Sequence, residues 1–346
     1  MTTPMTVVGV RGHQRVALFR AAAVAAGLPE PAFVDWRDVC ADRFDIAPGS
    51  TVRLESPGED AEVDRLLRGA DRPAEHGEIV GLAAWYAGFL EAARRVRRRA
   101  SGSLLPSVGD LAVMFDKRRC HALLRDRGVP VPDGFAARDY EQVRAAGWGR
   151  VFVKPAHGSS ASGVVALALG PGRVSAYTSA ALDGGRLFNE LRVHHYTDER
   201  HVAAIVDRLG ADGLHVERWL PKAAHEGRVF DLRVVVIAGR ASHVVARTSR
   251  SPLTNLHLGN ARGDLAAIRA AAGQRRWAEA METCERAAAC FPDSLHAGVD
   301  LMFAPGFGSH AVAEVNAFGD LLPGLLVDGR DTYAAEVAAL TAAVVA

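Results

Sequence analysis

The segment from Val299 to Pro323 is the part of the sequence that most constrains the fold, because two strand-like runs flank a tight turn. In the second run, Glu314 and Asn316 lie two residues apart among small and β-branched residues, so both point to one face of a strand. Asp300 opens the first run, and residues 304–309 between the runs contain the Pro and Gly of a turn. Carboxylate and amide oxygens are the ligands that nucleotide enzymes provide for Mg²⁺. The hairpin therefore predicts a metal-and-phosphate site, although a solvated strand face shows the same alternation.

Composition excludes several classes of protein. A chain of 346 residues is long enough for two or three packed units. Apolar residues at 49% and charged residues at 23% exclude a wholly disordered chain and a coiled coil. The net charge of +1 provides no overall field that would attract nucleic acid or an anionic membrane, so any anion binding must be local.

The cysteines, the N-terminal residues and one basic run add three expectations. Cys40, Cys120, Cys284 and Cys290 form no C-x-x-C pair and lie in helix-like or apolar contexts, so we expect reduced, buried thiols. The first residues lack the pattern of a signal peptide and no run is long enough to cross a bilayer, so we expect a cytoplasmic protein. The run Arg94–Arg99 lies at the end of a predicted helix, where cations face water.

A strand, a lysine and a loop of small residues follow one another in the middle of the chain. Val151–Val153 predicts a buried strand that delivers Lys154, and residues 156–163, AHGSSASG, form a loop before the next strand. Backbone amides and serine hydroxyls in such a loop approach phosphate oxygens closely, and the lysine adds a point charge. The lysine precedes the loop, so this is not a P-loop. An exposed hairpin tip is the alternative.

Two arginines lie at the ends of apolar strands. Arg233 follows Asp231 at the head of a strand that continues to Ile237, and Arg247 ends the next strand. A guanidinium held on a rigid strand can grip a phosphate or a developing acyl oxyanion. The segment Thr248–Asn260 that follows is too rich in hydrogen-bond donors to be core, which predicts a polar loop beside the arginines.

In this order, the segments from residue 107 to residue 330 resemble the ATP-grasp superfamily of ATP-dependent carboxylate ligases. Lys117 in FDK and Lys154 in VFVKP look like the two nucleotide lysines of that family. The loop AHGSSASGV is similar to its phosphate lid in the form found in D-alanine–D-alanine ligases. The motifs FDLRVVVI, VVAR and NLHLGN resemble the ribosomal-protein glutamate ligase branch, and GVDL with AEVNAFG resembles the metal motif.

The resemblance implies a role for each matching residue. The expected magnesium ligands are Asp300, Glu314 and Asn316, and the expected catalytic residues are Arg233 and Arg247. The expected nucleotide contacts are Lys117, Lys154, Ser159, Ser160, Gly163, Glu217, Trp219 and Leu220, the last three in the adenine hinge VERWL. The usual ribose acid is missing after the hinge, and Glu226 is the candidate in its place. The expected substrate contacts are Asn255, His257 and Asp320, the last an unusual acid in NAFGDLLPG.

The resemblance also implies an architecture. We expect an α/β (α+β) protein with the ATP-grasp fold, in which two α+β subdomains grip ATP. Residues 1–105 form an open α/β domain that ends in a linker containing Ser, Gly and Pro. Residues 106–215 form the central subdomain with the phosphate lid. Residues 216–346 form the C-terminal subdomain with the hinge, the metal site and the substrate loop.

The leading hypothesis is an enzyme that transfers the γ-phosphoryl group of ATP to a carboxylate and lets an amine attack the acyl phosphate, forming an amide. The resemblance implies ATP and Mg²⁺, with Mn²⁺ as an alternative ion, and small-molecule or peptide carboxylate and amine substrates. A homodimer is a further expectation, since dimers are common in the superfamily. Two alternatives stay open: a kinase that phosphorylates a hydroxyl and stops, and a nucleotide-binding module without chemistry. Such a module would be expected to have lost lysines or metal acids that this chain retains.

Overall fold

The computed structural model describes residues 4–158, 162–318 and 322–345. Within these ranges the strands form three sheets, one in each of three successive parts of the chain. We call these parts the N-terminal unit (β1–β4 with α1–α4), the central unit (β5–β10 with α5–α8) and the C-terminal unit (β11–β16 with α9–α11), with bounds given below. Among the described residues, none of the helices combines the length and the hydropathy needed to span a bilayer.

The N-terminal unit is a parallel sheet with helices on both faces. Its elements are β1 (Met5–Gly9), α1 (Gln14–Ala25), β2 (Ala32–Asp35), α2 (Trp36–Cys40), β3 (Thr51–Leu54), α3 (Ala61–Arg68), α4 (Leu82–Arg99) and β4 (Leu104–Leu105). The strand order is β2-β1-β3-β4. Val8 packs in one core with α3 and α4, while Val7 packs in another with α1. Burial on both faces explains why the neighbouring residues Val7 and Val8 are both apolar.

The central unit begins with helices and continues as an antiparallel sheet. Its elements are α5 (Val108–Met114), α6 (Lys117–Asp126), β5 (Gly134–Ala137), α7 (Tyr140–Ala145), β6 (Arg150–Pro155), β7 (Val165–Gly170), β8 (Arg173–Asp183), β9 (Arg186–Tyr196), α8 (Glu199–Gly210) and β10 (Leu214–Arg218). The strand order is β5-β10-β6-β7-β8-β9. The side chain of Asp116 accepts hydrogen bonds from the amides of Arg118 and Arg119, so it caps α6 and fixes Lys117 in the first turn.

The C-terminal unit is built on a long antiparallel sheet. Its elements are β11 (Ala224–His225), β12 (Arg228–Ile237), β13 (Arg240–Ser249), β14 (Ala261–Arg262), α9 (Leu265–Ala272), α10 (Gln274–Ala288), β15 (His296–Phe303), β16 (His310–Asn316) and α11 (Thr332–Val345). The main strand order is β14-β13-β12-β15-β16. Alternate β12 residues Leu232 and Val234 belong to the core that contains α10. Val235 and Ile237 face the other way and join the core formed with α1 and α11.

A buried ionic cluster connects the N-terminal unit to α11. Arg53 Nη2 lies 2.7 Å from Glu55, and Arg53 Nη1 contacts Glu336. His296 Nδ1 lies 3.2 Å from the other oxygen of Glu336. One guanidinium therefore serves two carboxylates. Burial raises the pKa of Glu336 to about 7. Arg53 opposes this rise, and Glu55 offsets part of the effect of Arg53. Burial also lowers the pKa of His296 to about 3, so this ring is neutral.

Replacing Glu336 with Gln should flatten the dependence of stability on pH. The pKa of Glu336 rises from 4.5 to about 7 on folding, so the folded state binds the proton more tightly. Its contribution to stability is complete below the unfolded pKa and is lost as pH rises through about 7. We expect this loss to be roughly 2–3 kcal/mol between pH 5 and pH 8, measured by urea unfolding. Glu279→Gln, on the exposed face of α10, should keep the wild-type slope. Equal slopes in wild type and Glu336→Gln would contradict the assignment.

Candidate active site

A cleft of about 310 Å³ lies where the three units meet. The N-terminal unit contributes Arg15 and Glu59 to its lining, and the central unit contributes Lys117 and Lys154. The C-terminal unit contributes the part of one sheet face that α1 and α11 do not cover. On β12, Ile237 lies on this face at the end that packs with α1 and α11, and the cleft begins where that packing ends.

The register of the C-terminal sheet brings predicted site residues onto one face. Asp231 of β12 pairs with Arg247 of β13, and Arg233 of β12 pairs with Asp300 of β15. Asp300 in turn pairs with Glu314 of β16. Residues directly opposite each other in an antiparallel sheet point to the same side, as do residues two apart on one strand. The two predicted catalytic arginines and the two predicted metal acids therefore meet in the cleft.

Salt bridges link these side chains into a buried chain of alternating charge. Lys222 Nζ lies 3.1 Å from Asp231 Oδ2, and Arg247 Nε lies 2.7 Å from Asp231 Oδ1. Arg247 Nη2 lies 3.1 Å from Asp300 Oδ2, and Arg233 Nε lies 2.5 Å from Asp300 Oδ1. Three cations thus share two carboxylates. We call this group the charge chain.

The pKa shifts in the charge chain follow from burial and from the opposite charges that each group faces. Burial opposes ionisation of Asp231, but Arg247 and Lys222 outweigh it and hold the pKa of this carboxyl well below its usual range. Burial likewise opposes the charge on Arg247, but Asp231 and Asp300 raise its pKa. At Lys222 burial prevails over the attraction of Asp231, which Arg247 already engages, and the lysine pKa is lowered. The charged forms of Asp231 and Arg247 are therefore favoured, while burial disfavours the charge on Lys222.

One donor in the charge chain is left unpaired by the described part of the protein. Arg233 Nη1 is buried and makes no hydrogen bond with any described residue. The residue beside it is Gly298, and a Cβ atom there would lie 3.2 Å from Arg233 Nη1. A side chain at this position would therefore crowd the guanidinium. A buried guanidinium N–H without an acceptor is costly, so this atom marks a place for a ligand oxygen.

The predicted metal ligands have the right chemistry, and their carboxylates are already paired with cations. Asp300 binds Arg233 and Arg247 as described above, and Lys117 Nζ lies 3.0 Å from Glu314 Oε1. Asn316 lies on the same strand face as Glu314, and its Nδ2 lies 3.4 Å from the carbonyl oxygen of Gly298. The described residues contain no group of three or more His, Cys, Asp or Glu side chains that could hold a metal. Two carboxylates and one amide oxygen nevertheless fit Mg²⁺, which completes its shell with phosphates and water.

The second predicted nucleotide lysine is held by the hinge strand β10. Lys154 Nζ lies 2.7 Å from Glu217 Oε2, and His215 Nε2 lies 3.1 Å from Glu217 Oε1. Burial opposes ionisation of Glu217, but Lys154 and His215 lower its pKa to about 2. The charge of Glu217 and the nearby Glu314 raise the pKa of Lys154 despite burial of the amine. Glu217 lines the cleft, and in this state its carboxylate positions Lys154.

Several predicted residues lie outside the described part of the chain or away from the cleft. Ser159, Ser160 and Asp320 fall in the segments that the structure does not describe. Gly163, Trp219 and Glu226 do not line the cleft. The Trp219 ring packs on Phe152 and under Arg150, and Glu226 is exposed in the turn before β12.

The predicted substrate loop does reach the cleft, and so do residues that the sequence does not single out. Asn255 and His257 line the cleft beside Leu220 of the predicted hinge. In the sequence Lys222 is only part of the segment where the ribose acid is missing, yet its Nζ lies 2.7 Å from Thr254 Oγ1. Asp231 could have been recognised from the sequence because it alternates with Arg233 along one strand. The sequence offers no comparable signal for Lys222 or for Arg15.

Comparison with solved structures identifies the architecture as the ATP-grasp fold. The ATP-grasp ligase PsnB, complexed with precursor peptide PsnA2 and AMPPNP, is 20% identical with a TM-score of 0.54, over 99% of this chain and 98% of that chain. The D-cycloserine synthetase DcsG is 16% identical with a TM-score of 0.59, over 97% and 99%. The D-alanine–D-alanine ligase of Bacillus anthracis, complexed with ATP, is 14% identical with a TM-score of 0.54, over 99% and 98%.

These comparisons confirm the predicted fold class and the resemblance to the ATP-grasp superfamily at the level of the fold. No family model matches the sequence, and no curated protein matches it. At identities of 14% to 20% the likeness concerns the fold alone. The roles of individual residues therefore depend on the geometry described above.

Replacing Glu217 with Gln should destabilise the protein. Lys154 Nζ would lose the carboxylate 2.7 Å away and remain buried with a charge that only more distant acids balance. Breaking one side of a buried ion pair costs about 3 kcal/mol, so we expect a loss of that order in the free energy of unfolding at pH 7. Urea unfolding measures it. Glu226→Gln changes an exposed carboxylate without a partner among the described residues and should stay within about 0.5 kcal/mol of wild type. Equal stability of the two variants would contradict the proposed pair.

Proposed function

We propose that the protein is an ATP-dependent carboxylate–amine ligase that acts through an acyl phosphate. The observation that carries the proposal is one sheet face on which two arginines lie beside two carboxylates, in a cleft that two further lysines line. The ATP-grasp fold supports it, and the proteins that share the fold include PsnB, which is named as an ATP-grasp ligase. A further PsnB structure contains Mg and ADP, which supports the proposed cofactors.

In this proposal, Asp300, Glu314 and Asn316 hold Mg²⁺, with Mn²⁺ as an alternative ion. The bound ion would offset the negative charge of the nucleotide phosphates. Asp300 is paired with the two arginines and Glu314 with Lys117 in this structure, so the residues that would hold the ion lie beside the cations proposed to bind phosphate and carboxylate oxygens.

The two chemical steps require charge stabilisation and no side-chain nucleophile. A carboxylate oxygen of the substrate attacks the γ-phosphorus of ATP, the bond to the β–γ bridging oxygen breaks, and ADP leaves. The amine nitrogen then attacks the carbonyl carbon, phosphate leaves with the C–O bonding electrons, and the nitrogen loses a proton. Arg247 and Arg233 donate to the oxygens on which charge develops; Arg233 Nη1 is the donor for which no described residue is an acceptor. Lys117 and Lys154 neutralise the nucleotide phosphates.

The remaining assignments are part of the same proposal. Ser159, Ser160 and Gly163 belong to a lid that keeps water from the acyl phosphate. The backbone from Glu217 to Leu220 carries the adenine, with Trp219 packing behind it, and Glu226 is the candidate for the ribose. Asn255, His257 and Asp320 contact the substrates, which are small molecules or peptides; the complex of PsnB with a precursor peptide supports the peptide option. The boundaries near residues 105 and 215, a cytoplasmic location and a homodimer remain predictions.

Trapping with hydroxylamine should distinguish a ligase from a kinase. The purified protein is incubated with ATP and Mg²⁺ over a panel of amino acids and peptides, and ADP release is measured with and without hydroxylamine. An acyl phosphate reacts with hydroxylamine to give a hydroxamate and phosphate, so we expect a hydroxamate of one carboxylate in the mass spectrum. ADP release that needs no amine and leaves a stable phosphorylated product would instead identify a kinase and overturn the ligase proposal.

Replacing Glu314 with Gln should weaken binding of the metal–nucleotide complex. The variant loses one of two carboxylates proposed to bind Mg²⁺, and loss of a ligand costs at least about 10-fold in metal-dependent affinity. Isothermal titration with MgAMP-PNP measures this loss, and AMP-PNP with EDTA gives the metal-independent part. Glu279→Gln, whose exposed carboxylate pairs with Arg275 on α10, is the matched control and should bind like wild type. Unchanged MgAMP-PNP affinity in Glu314→Gln would remove Glu314 from the metal site.

A further inference from the structure

Arg15 stands apart from the other cations in the cleft. Every other Lys or Arg that lines the cleft has a carboxylate within 4 Å; the contacts are Lys117–Glu314, Lys154–Glu217, Arg218–Asp133, Lys222–Asp231, Arg233–Asp300 and Arg247–Asp231. Arg15 lines the same cleft and forms no ion pair with any described residue. Its charge is therefore available to a ligand without the loss of an ion pair between described residues.

The guanidinium of Arg15 makes one hydrogen bond with the described residues, and this bond fixes its position. Nη1 donates to the carbonyl oxygen of Phe318 at 2.8 Å, which attaches the first turn of α1 to the segment after β16. A guanidinium has five N–H groups in a planar fork, and this bond uses one of them. Phe318 lies two residues beyond Asn316, a proposed metal ligand, so Arg15 is held near the phosphate end of the cleft.

The surroundings of Arg15 favour an anion that arrives with the substrate. The charge of Arg15 contributes to the lowered pKa of Glu59. The main cause of that shift is the hydrogen bond between the Glu59 carboxylate and His13 Nε2, which lie 3.0 Å apart. Trp85 and Phe318 also line the cleft. Aromatic walls exclude water and so strengthen a contact between opposite charges. The planar fork of arginine matches a carboxylate better than a single-point cation does.

We propose that Arg15 binds a second carboxylate of the substrate, distinct from the carboxylate that is activated, so that the ligase selects dicarboxylate or acidic amino acid substrates. This inference relies on the proposed function, in which the first carboxylate reacts beside Arg233 and Arg247. The N-terminal unit would then bind the carboxylate that does not react, and the C-terminal sheet would hold the carboxylate that does. Arg15 is in this sense a specificity-determining residue.

Titration of paired probes tests the proposal. Succinate, glutarate and adipate are compared with their monomethyl esters by isothermal titration into the full-length protein saturated with MgAMP-PNP. Wild type should bind at least one dicarboxylate about 10-fold or more tightly than its monomethyl ester, because a bidentate charge-assisted contact is lost in the ester. Arg15→Gln should reduce that ratio to about 2-fold or less, and Arg15→Lys should keep part of it.

Two controls separate a role in substrate selection from a general effect on the protein or on nucleotide binding. Arg20→Gln alters an arginine on the same helix that pairs with Glu30 and does not line the cleft, so its ratio should match wild type. Arg15→Gln should leave the Kd for MgAMP-PNP unchanged. Equal binding of diacid and ester by wild type, no binding of any diacid, or weaker MgAMP-PNP binding by Arg15→Gln would each overturn the proposal. Failure of wild type to bind MgAMP-PNP at all would instead count against the proposed function, and the probes would then be titrated without nucleotide.

Discussion

The structure of the site depends on the buried charge chain that crosses the C-terminal sheet. Burying isolated charges is costly, and these are tolerated because each cation has a carboxylate within 3.1 Å. Sheet register supplies that arrangement, since Asp231 faces Arg247 and Arg233 faces Asp300 across neighbouring strands. Three basic side chains share two acids, and Arg233 Nη1 has no hydrogen-bond partner among the described residues. A polyanionic ligand would supply an acceptor for that atom.

The residues of this face could be predicted from the sequence because the information that places them is local. A strand period of two puts Glu314 beside Asn316, and the same period puts Asp231 beside Arg233. The hairpin turn between β15 and β16 is also predictable from its Pro and Gly, although β15 begins at His296, four residues before Asp300. The pairing of β12 with β15 is a different matter, because α9 and α10 lie between the two strands in the sequence. That pairing, which joins Arg233 to Asp300, depends on tertiary packing.

Residues missed by sequence reasoning are those whose roles come from distant packing. Lys222 lies in an irregular segment before β11 and reaches Asp231 only because the chain turns back at β12. Arg15 reads as an ordinary residue in an alanine-rich helix, yet its guanidinium contacts Phe318, 303 positions away. Glu226 is a different case: it lies in an exposed turn and does not line the cleft, and its contact with the ribose stays a prediction. Composition near a motif is a weak guide where no regular period fixes the direction of the side chain.

The position of the N-terminal unit explains how the cleft is closed at one end. Val235 and Ile237 continue the β12 face that carries Arg233, but they pack with Val7, Phe19 and α11. The apolar half of one strand face thus docks the N-terminal unit, and the charged half lines the cleft. Arg53, Glu55 and Glu336 extend the same junction with buried charge. Because the docking and the charge chain share one rigid strand, α1 is held at a fixed distance from the reacting groups. A side chain in the first turn of α1 can therefore select substrates by their length. A residue on a free loop would be positioned less accurately and would select less well.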